Sequence, residues 1–165
     1  MHLSKTERLS LINQYRILER LDTGEADYYK RMITILERGY ENHYAELFRY
    51  ISDHVSDELT NEVLDILSMF RDLQYSCNAL ADKSAINEQC LALTGFDAGS
   101  EADYLNYARY LVEADSQFTR LASGVYDSHA PRLSGYRQML ERYRQVRTVQ
   151  PSELLSQEAI IEVIG

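Results

Sequence analysis

Apolar side chains recur every three or four residues along most of this chain, the spacing that lines them up on one face of an α-helix. Ser4-Lys5-Thr6-Glu7 has the reciprocal capping form, in which the serine hydroxyl and the glutamate carboxylate each take a free backbone N–H. A first helix therefore starts there, with Leu11, Ile12, Tyr15 and Leu18 as its buried stripe. Asp22-Thr23-Gly24 interrupts the pattern. Tyr29, Met32, Ile33 and Leu36 carry a second helix as far as Gly39, a residue able to take the left-handed conformation that ends helices. Tyr40, Tyr44, Leu47, Phe48 and Ile51 predict a third helix that stops near Asp53.

The longest regular stretch follows. Leu59, Val63, Ile66, Phe70, Leu73, Cys77 and Leu80 alternate steps of four and three, which predicts a helix over about 56–81, capped by Ser56 and central to the fold. Beyond it the pattern thins to a short helix at Ile86–Leu93, and Thr94-Gly95-Phe96-Asp97-Ala98-Gly99 reads as a turn. Ser100 is the expected cap of a helix buried through Leu105, Ala108, Leu111, Val112 and Phe118. Gly124 and Asp127-Ser128-His129 read as a surface loop, and Pro131 suits the first turn of the next helix, which carries Leu133, Tyr136, Leu140 and Tyr143. Pro151 ends that helix at or before Gln150, and Glu158–Ile164 form a last one. The reading is all-α: a single-domain, multi-helix bundle over residues 1–165 with one core and a long central helix.

Composition supports this and narrows the function. Two prolines and seven glycines leave helix-favouring residues dominant. Two cysteines without Cys-x-x-Cys spacing give no disulfide framework, and neither a signal peptide's apolar run nor a membrane span is visible, so a cytoplasmic setting without membrane contact is expected. The net charge of −9 disfavours binding to phosphate backbones. That charge is uneven: residues 37–127 hold 17 acidic against 6 basic side chains, whereas 132–147 hold five arginines against Glu141 alone. The arginine segment, Arg132, Arg137, Arg142, Arg144 and Arg147, is expected to make salt bridges to the acidic body, within or between subunits. Nucleic-acid binding through helix 132–147 is the alternative use.

The patterns that carry chemistry are sparse. His2, His43, His54 and His129 share no ligand spacing, Cys77 lies on the apolar seam, and Cys90 has no electropositive neighbour. Gly95 and Gly99 precede a helix without a basic residue between them, which favours a plain turn over an anion loop. Glu58, Glu62, Asp65 and Asp72 fall on the outward side of the long helix. Glu62-x-x-Asp65 is half of the carboxylate pattern by which all-α nucleotide pyrophosphatases hold magnesium, so Glu58, Glu62 and Asp65 are the metal candidates for hydrolysis of a phosphate compound. The matching Glu-x-x-Glu is missing, and a solvated acidic face without metal or cofactor is the simpler reading. Thirteen tyrosines with no tryptophan, three of them at Tyr104, Tyr107 and Tyr110, suggest half-exposed packing and an association surface.

Several segments resemble the YfbU family of small bacterial proteins: Asn13-Gln14-Tyr15, Leu36-Glu37-Arg38-Gly39-Tyr40, Gly95-Phe96-Asp97-Ala98, Glu101-Ala102-Asp103-Tyr104-Leu105 with Tyr107 and Arg109, and Tyr136-Arg137-Gln138-Met139-Leu140. The resemblance implies an all-helical fold and a cytosolic setting; it attaches no activity, so no catalytic residue is carried over. Relatives with a similar domain joined to a helix-turn-helix segment imply regulation, although no room for a separate DNA-binding domain is expected in this chain. The functional expectation is a self-associating protein–protein interaction or regulatory module, a homo-oligomer with a protein partner, contacting it through Tyr104, Tyr107, Tyr110, Arg137 and Arg144.

Overall fold

The computed structural model describes residues 2–52, 54–114, 118, 121, 125–151 and 154–165. Their fold is all-α: six α-helices with shorter 3-10 turns between them and a single isolated backbone bridge. The expected helix end at Asp53 and the loop position at Gly124 lie outside the described residues. The chain divides into two compact units, Met1–His54 and Val55–Gly165. Buried apolar side chains form a separate cluster in each, in place of the one core that the pattern predicts.

In the first unit α1 (Lys5–Leu21) and α2 (Ala26–Arg38) form an antiparallel hairpin. The Ser4–Glu7 capping box is present in full, and Gly39 ends α2 at φ 67. Met32, Ile33, Ile35 and Leu36 of α2 fill the small core with Leu3, Ile12 and Tyr44. The stripe expected on α1 is narrower than the sequence implies. Ile12 is buried and Leu11 and Tyr15 are half-buried, but Leu18 is exposed, because α2, the main partner of α1 within this unit, covers little more than one line of the helix.

The expected third helix is a 3-10 turn, Glu41–Phe48, in which Tyr44 alone is fully buried. With three residues per turn, Tyr44 and Leu47 eclipse one another, while Tyr40 and Ile51 rotate away from that line. Both are accordingly exposed. A four-three repeat over so short a run cannot distinguish the two winding patterns.

The second unit is built around α3 (Asp57–Ala79), whose first turn is capped by the Ser56 hydroxyl accepting from Leu59 N–H. It packs against α4 (Ala102–Arg109), α5 (Leu133–Val149) and α6 (Gln157–Ile164). Val63, Ile66, Leu67, Met69, Phe70 and Leu73 are essentially inaccessible. Burying them contributes on the order of 10–20 kcal/mol of gross transfer energy, an upper bound because unfolded chains already hide some surface.

Between α3 and α5 the structure refines or departs from the expectation at several points. The helix expected at Ile86–Leu93 is reduced to a 3-10 turn, Glu88–Leu91, that still buries Ile86, Leu91 and Leu93. The turn expected at Thr94–Gly99 is anchored in the core: Phe96 is fully buried, its N–H donates to Tyr126 O, and it bridges Asp127. The presumed loop at Asp127–His129 is thereby stitched down, with Ser128 N–H donating to Phe96 O. Ser100 does not cap α4, because both its N–H and its hydroxyl donate to Asp97 Oδ2; the cap position falls to Glu101. α5 likewise begins at Leu133, two residues past Pro131.

Candidate functional site

Both halves of the charge asymmetry in the sequence meet along one line, where α5 lies against α3. Arg137 grips Glu62 with two parallel hydrogen bonds, Nε to Oε1 at 2.7 Å and an Nη to Oε2 at 2.8 Å. Arg144 reaches Asp65 at 2.6 Å, and Arg147 reaches Asp72 at 2.8 Å. Partners ascend together, 62, 65, 72 against 137, 144, 147, so the two helices run parallel and in step. Three arginines of the segment, Arg137, Arg144 and Arg147, are therefore bound to the acidic helix of the same chain, while Arg142 donates to Val163 O. Glu58, the remaining magnesium candidate, stays exposed.

Tyrosines complete two rungs. Tyr104 of α4 donates its hydroxyl to Glu62 Oε2 at 2.7 Å, and Tyr143 donates to Asp72 Oδ2 at 2.6 Å. Arg71 also donates to Asp72 Oδ1 through two nitrogens. These partners set the titration of each group. The Arg137 hydrogen bonds hold Glu62 below the ordinary carboxyl range against the upward pull of its partial burial, with Tyr104 helping. Burial alone would raise Asp72, but hydrogen bonds from Tyr143 and Arg71 and the charges of Arg71 and Arg147 outweigh it and leave the group lowered. Burial, and then the neighbouring carboxylates, raise Tyr104 and Tyr143.

A pH dependence follows. Folded Glu62 and Asp72 take up protons less readily than unfolded ones, so their contribution is complete above the unfolded values and disappears as the pH falls through the folded ones. The midpoint of thermal unfolding should fall once the pH drops below about 4.5, and Arg137→Met should flatten that acid limb. An acid limb of unchanged steepness in the variant would contradict the assignment.

Chemically, the carboxylates are occupied. A magnesium site needs several convergent oxygen ligands without cations among them, whereas Glu62, Asp65 and Asp72 each face a guanidinium. Among the described residues, no group of three His, Cys, Asp or Glu side chains is placed to hold a metal ion. The described histidines with carboxylate partners stand apart: His2 on Glu41, His43 on Glu46, His129 on Asp127. Cys77 is buried and Cys90 exposed. An open cleft of about 600 Å³ adjoins the last rung, lined by Tyr75, Ser76, Pro151 and Leu154. Its polar floor is already engaged: Asp72 accepts from Arg71, Tyr143 and Arg147, and Ser76 Oγ accepts from Leu155 N–H.

The tyrosine series on α4 divides by depth. Tyr104 packs on Phe96 and is held by Glu62 and Arg137. Tyr107 is half-buried and Tyr110 is 54% exposed; their rings stack, 6.1 Å apart and 19° from parallel. Asp103, four residues before Tyr107, and Glu113, three residues after Tyr110, are both exposed. Backbone from Tyr110 to Ala114 widens into a π-helical turn, which lets the chain continue while Leu111 and Val112 stay buried.

The residue that sequence reasoning missed is Glu101. Its carboxylate is buried and accepts from the backbone N–H groups of Asp97, Arg132 and Leu133. It thus caps α5 from a distant point in the chain, where α5 lacks a side-chain cap of its own. Nothing in local spacing reveals this, since the three donors lie up to 32 positions away. No helix among the described residues is long and apolar enough to cross a membrane. Compared with known families, residues 1–164 match the YfbU domain.

Proposed function

Because the chain belongs to the YfbU family over nearly its whole length, and because no reaction comes with that membership, we propose that it works by association: a helical interaction module that binds a second copy of itself. The observation that carries this reading is the outward face of α4, where a stacked tyrosine pair stands at the surface between two carboxylates. A tyrosine in such a position offers a large, stiff, half-apolar area at little cost in conformational freedom, which is why the residue is enriched where proteins meet. The occupation of Glu62, Asp65 and Asp72 by arginines supports the same reading, since it commits to structure the side chains that hydrolysis would need.

Arg137 and Arg144, expected to make contacts with a partner, are bound within their own chain, and the proposal accordingly moves the contact to Tyr107 and Tyr110. Gel filtration coupled to light scattering is the test. The native chain should run above monomer mass at micromolar concentration, and Tyr110→Ala should return it to monomer with its circular dichroism unchanged. A native chain that is monomeric throughout that range would refute the proposal.

A further inference from the structure

Resting on that reading, we propose that the surface received by the α4 face is the outward side of α1 in a second copy of the chain. α1 is apolar on two sides. Ile12, Leu11 and Tyr15 face the hairpin core, while Leu9, Ile17 and Leu21 point away from it and are 57%, 59% and 77% exposed. Residues eight and twelve apart on an α-helix are displaced by about 80° and 120°, so from Leu9 through Ile17 to Leu21 these three form a stripe roughly 18 Å long that turns by about 120° around the helix and is interrupted at Asn13. Isolated exposed leucines are ordinary, but three large apolar side chains on the outward side of an already amphipathic helix mark a surface that gains by being covered.

Charge chooses what covers it. α1 carries four basic and two acidic side chains in a chain whose net charge is −9. Arg20 stands beside the stripe, as does Arg16, which also reaches Glu37 of its own chain at 2.8 Å, and with Ile17 and Leu21 they line an open crevice of about 410 Å³. The α4 face has the opposite character: Asp103 and Glu113 enclose the Tyr107–Tyr110 stack along roughly 15 Å, a length that matches the stripe. Pairing α1 with its own copy would set Arg16 and Arg20 among like charges, and pairing α4 with its own copy would do the same to Asp103 and Glu113. Only the cross-pairing places tyrosine rings over leucine and isoleucine while guanidinium groups meet carboxylates and ring faces.

Two charge reversals test this, with light scattering as the readout and circular dichroism as the check on folding. Arg20→Glu in one variant, and Asp103→Lys with Glu113→Lys in another, should each weaken self-association on the order of tenfold or more. An equimolar mixture should recover it to within a few-fold, because the reversed α1 of the first variant then meets the reversed α4 of the second. Self-association of the native chain that survives both reversals, or variants that fail to rescue one another, would overturn this pairing and leave the association reading intact. A monomeric native chain would sink both.

Discussion

Replacing Gly95 by alanine should cost the Val55–Gly165 unit more than about 4 kcal/mol, enough to unfold it or leave it barely stable. Gly95 has φ +90, a backbone conformation that side chains disfavour, and a Cβ built there would lie 1.7 Å from the carbonyl oxygen of Tyr126. The obstacle is backbone, so no rotamer change relieves it. Tyr126 cannot simply retreat, because its carbonyl accepts from Phe96 N–H. Phe96 in turn is locked edge-on against Tyr136 and tilted on Tyr104. Tyr136 closes the circuit by donating its hydroxyl to Gly95 O while accepting from Thr94 N–H. Urea unfolding followed by circular dichroism measures the loss; a decrease below about 1 kcal/mol would show that the contact with Tyr126 is not needed.

Glu101→Ala is expected to have the next largest effect, about 3 kcal/mol or more, since it leaves three backbone N–H groups without their acceptor in a buried place. The damage should be concentrated at the start of α5. Glu101→Gln retains one oxygen but turns an amide NH2 toward donors, so about half the loss should remain. Amide hydrogen exchange offers a finer reading than bulk unfolding: Arg132 and Leu133 should lose protection first. A glutamine variant as stable as the native chain would mean that the carboxylate acts through volume, not as an acceptor for all three N–H groups.

How much of this was legible beforehand depends on the range over which each interaction is encoded. α2, α3 and α6 were readable because the information lies within a few residues: a capping serine, a four-three stripe, a terminal glycine. The third helix failed because Tyr40, Tyr44, Leu47, Phe48 and Ile51 fit an α-helix and a 3-10 turn nearly equally. The segment around Gly95 and Phe96 looked like a turn because its meaning depends on Tyr126 and Tyr136, 30 to 40 positions on. Opposed charge blocks did announce that the arginines of 132–147 would meet the acidic residues of 37–127. They did not announce the register, which is set by apolar packing between α3 and α5 and only afterwards filled by Glu62–Arg137, Asp65–Arg144 and Asp72–Arg147. The tyrosine series on α4 was visible in the sequence, but not its division by depth, since Tyr104 carries the same spacing as Tyr107 and Tyr110 and turns inward.

That α3 and α5 run in the same direction has an electrostatic cost of its own. Peptide dipoles sum along a helix to about half a positive charge at its start and half a negative charge at its end, so two helices lying side by side in parallel set like poles together. At the shared starting end the repulsion is met by anions: Asp57 and Glu58 occupy the first turn of α3, and the Glu101 carboxylate sits on the first amides of α5. At the far end Arg147 lies in the last turn of α5 with its guanidinium directed to Asp72, so a cation is held where the negative pole of α5 emerges. The acidic excess of this chain is thus partly the counterweight to its own topology, and neutralising those carboxylates would set the two helices against each other.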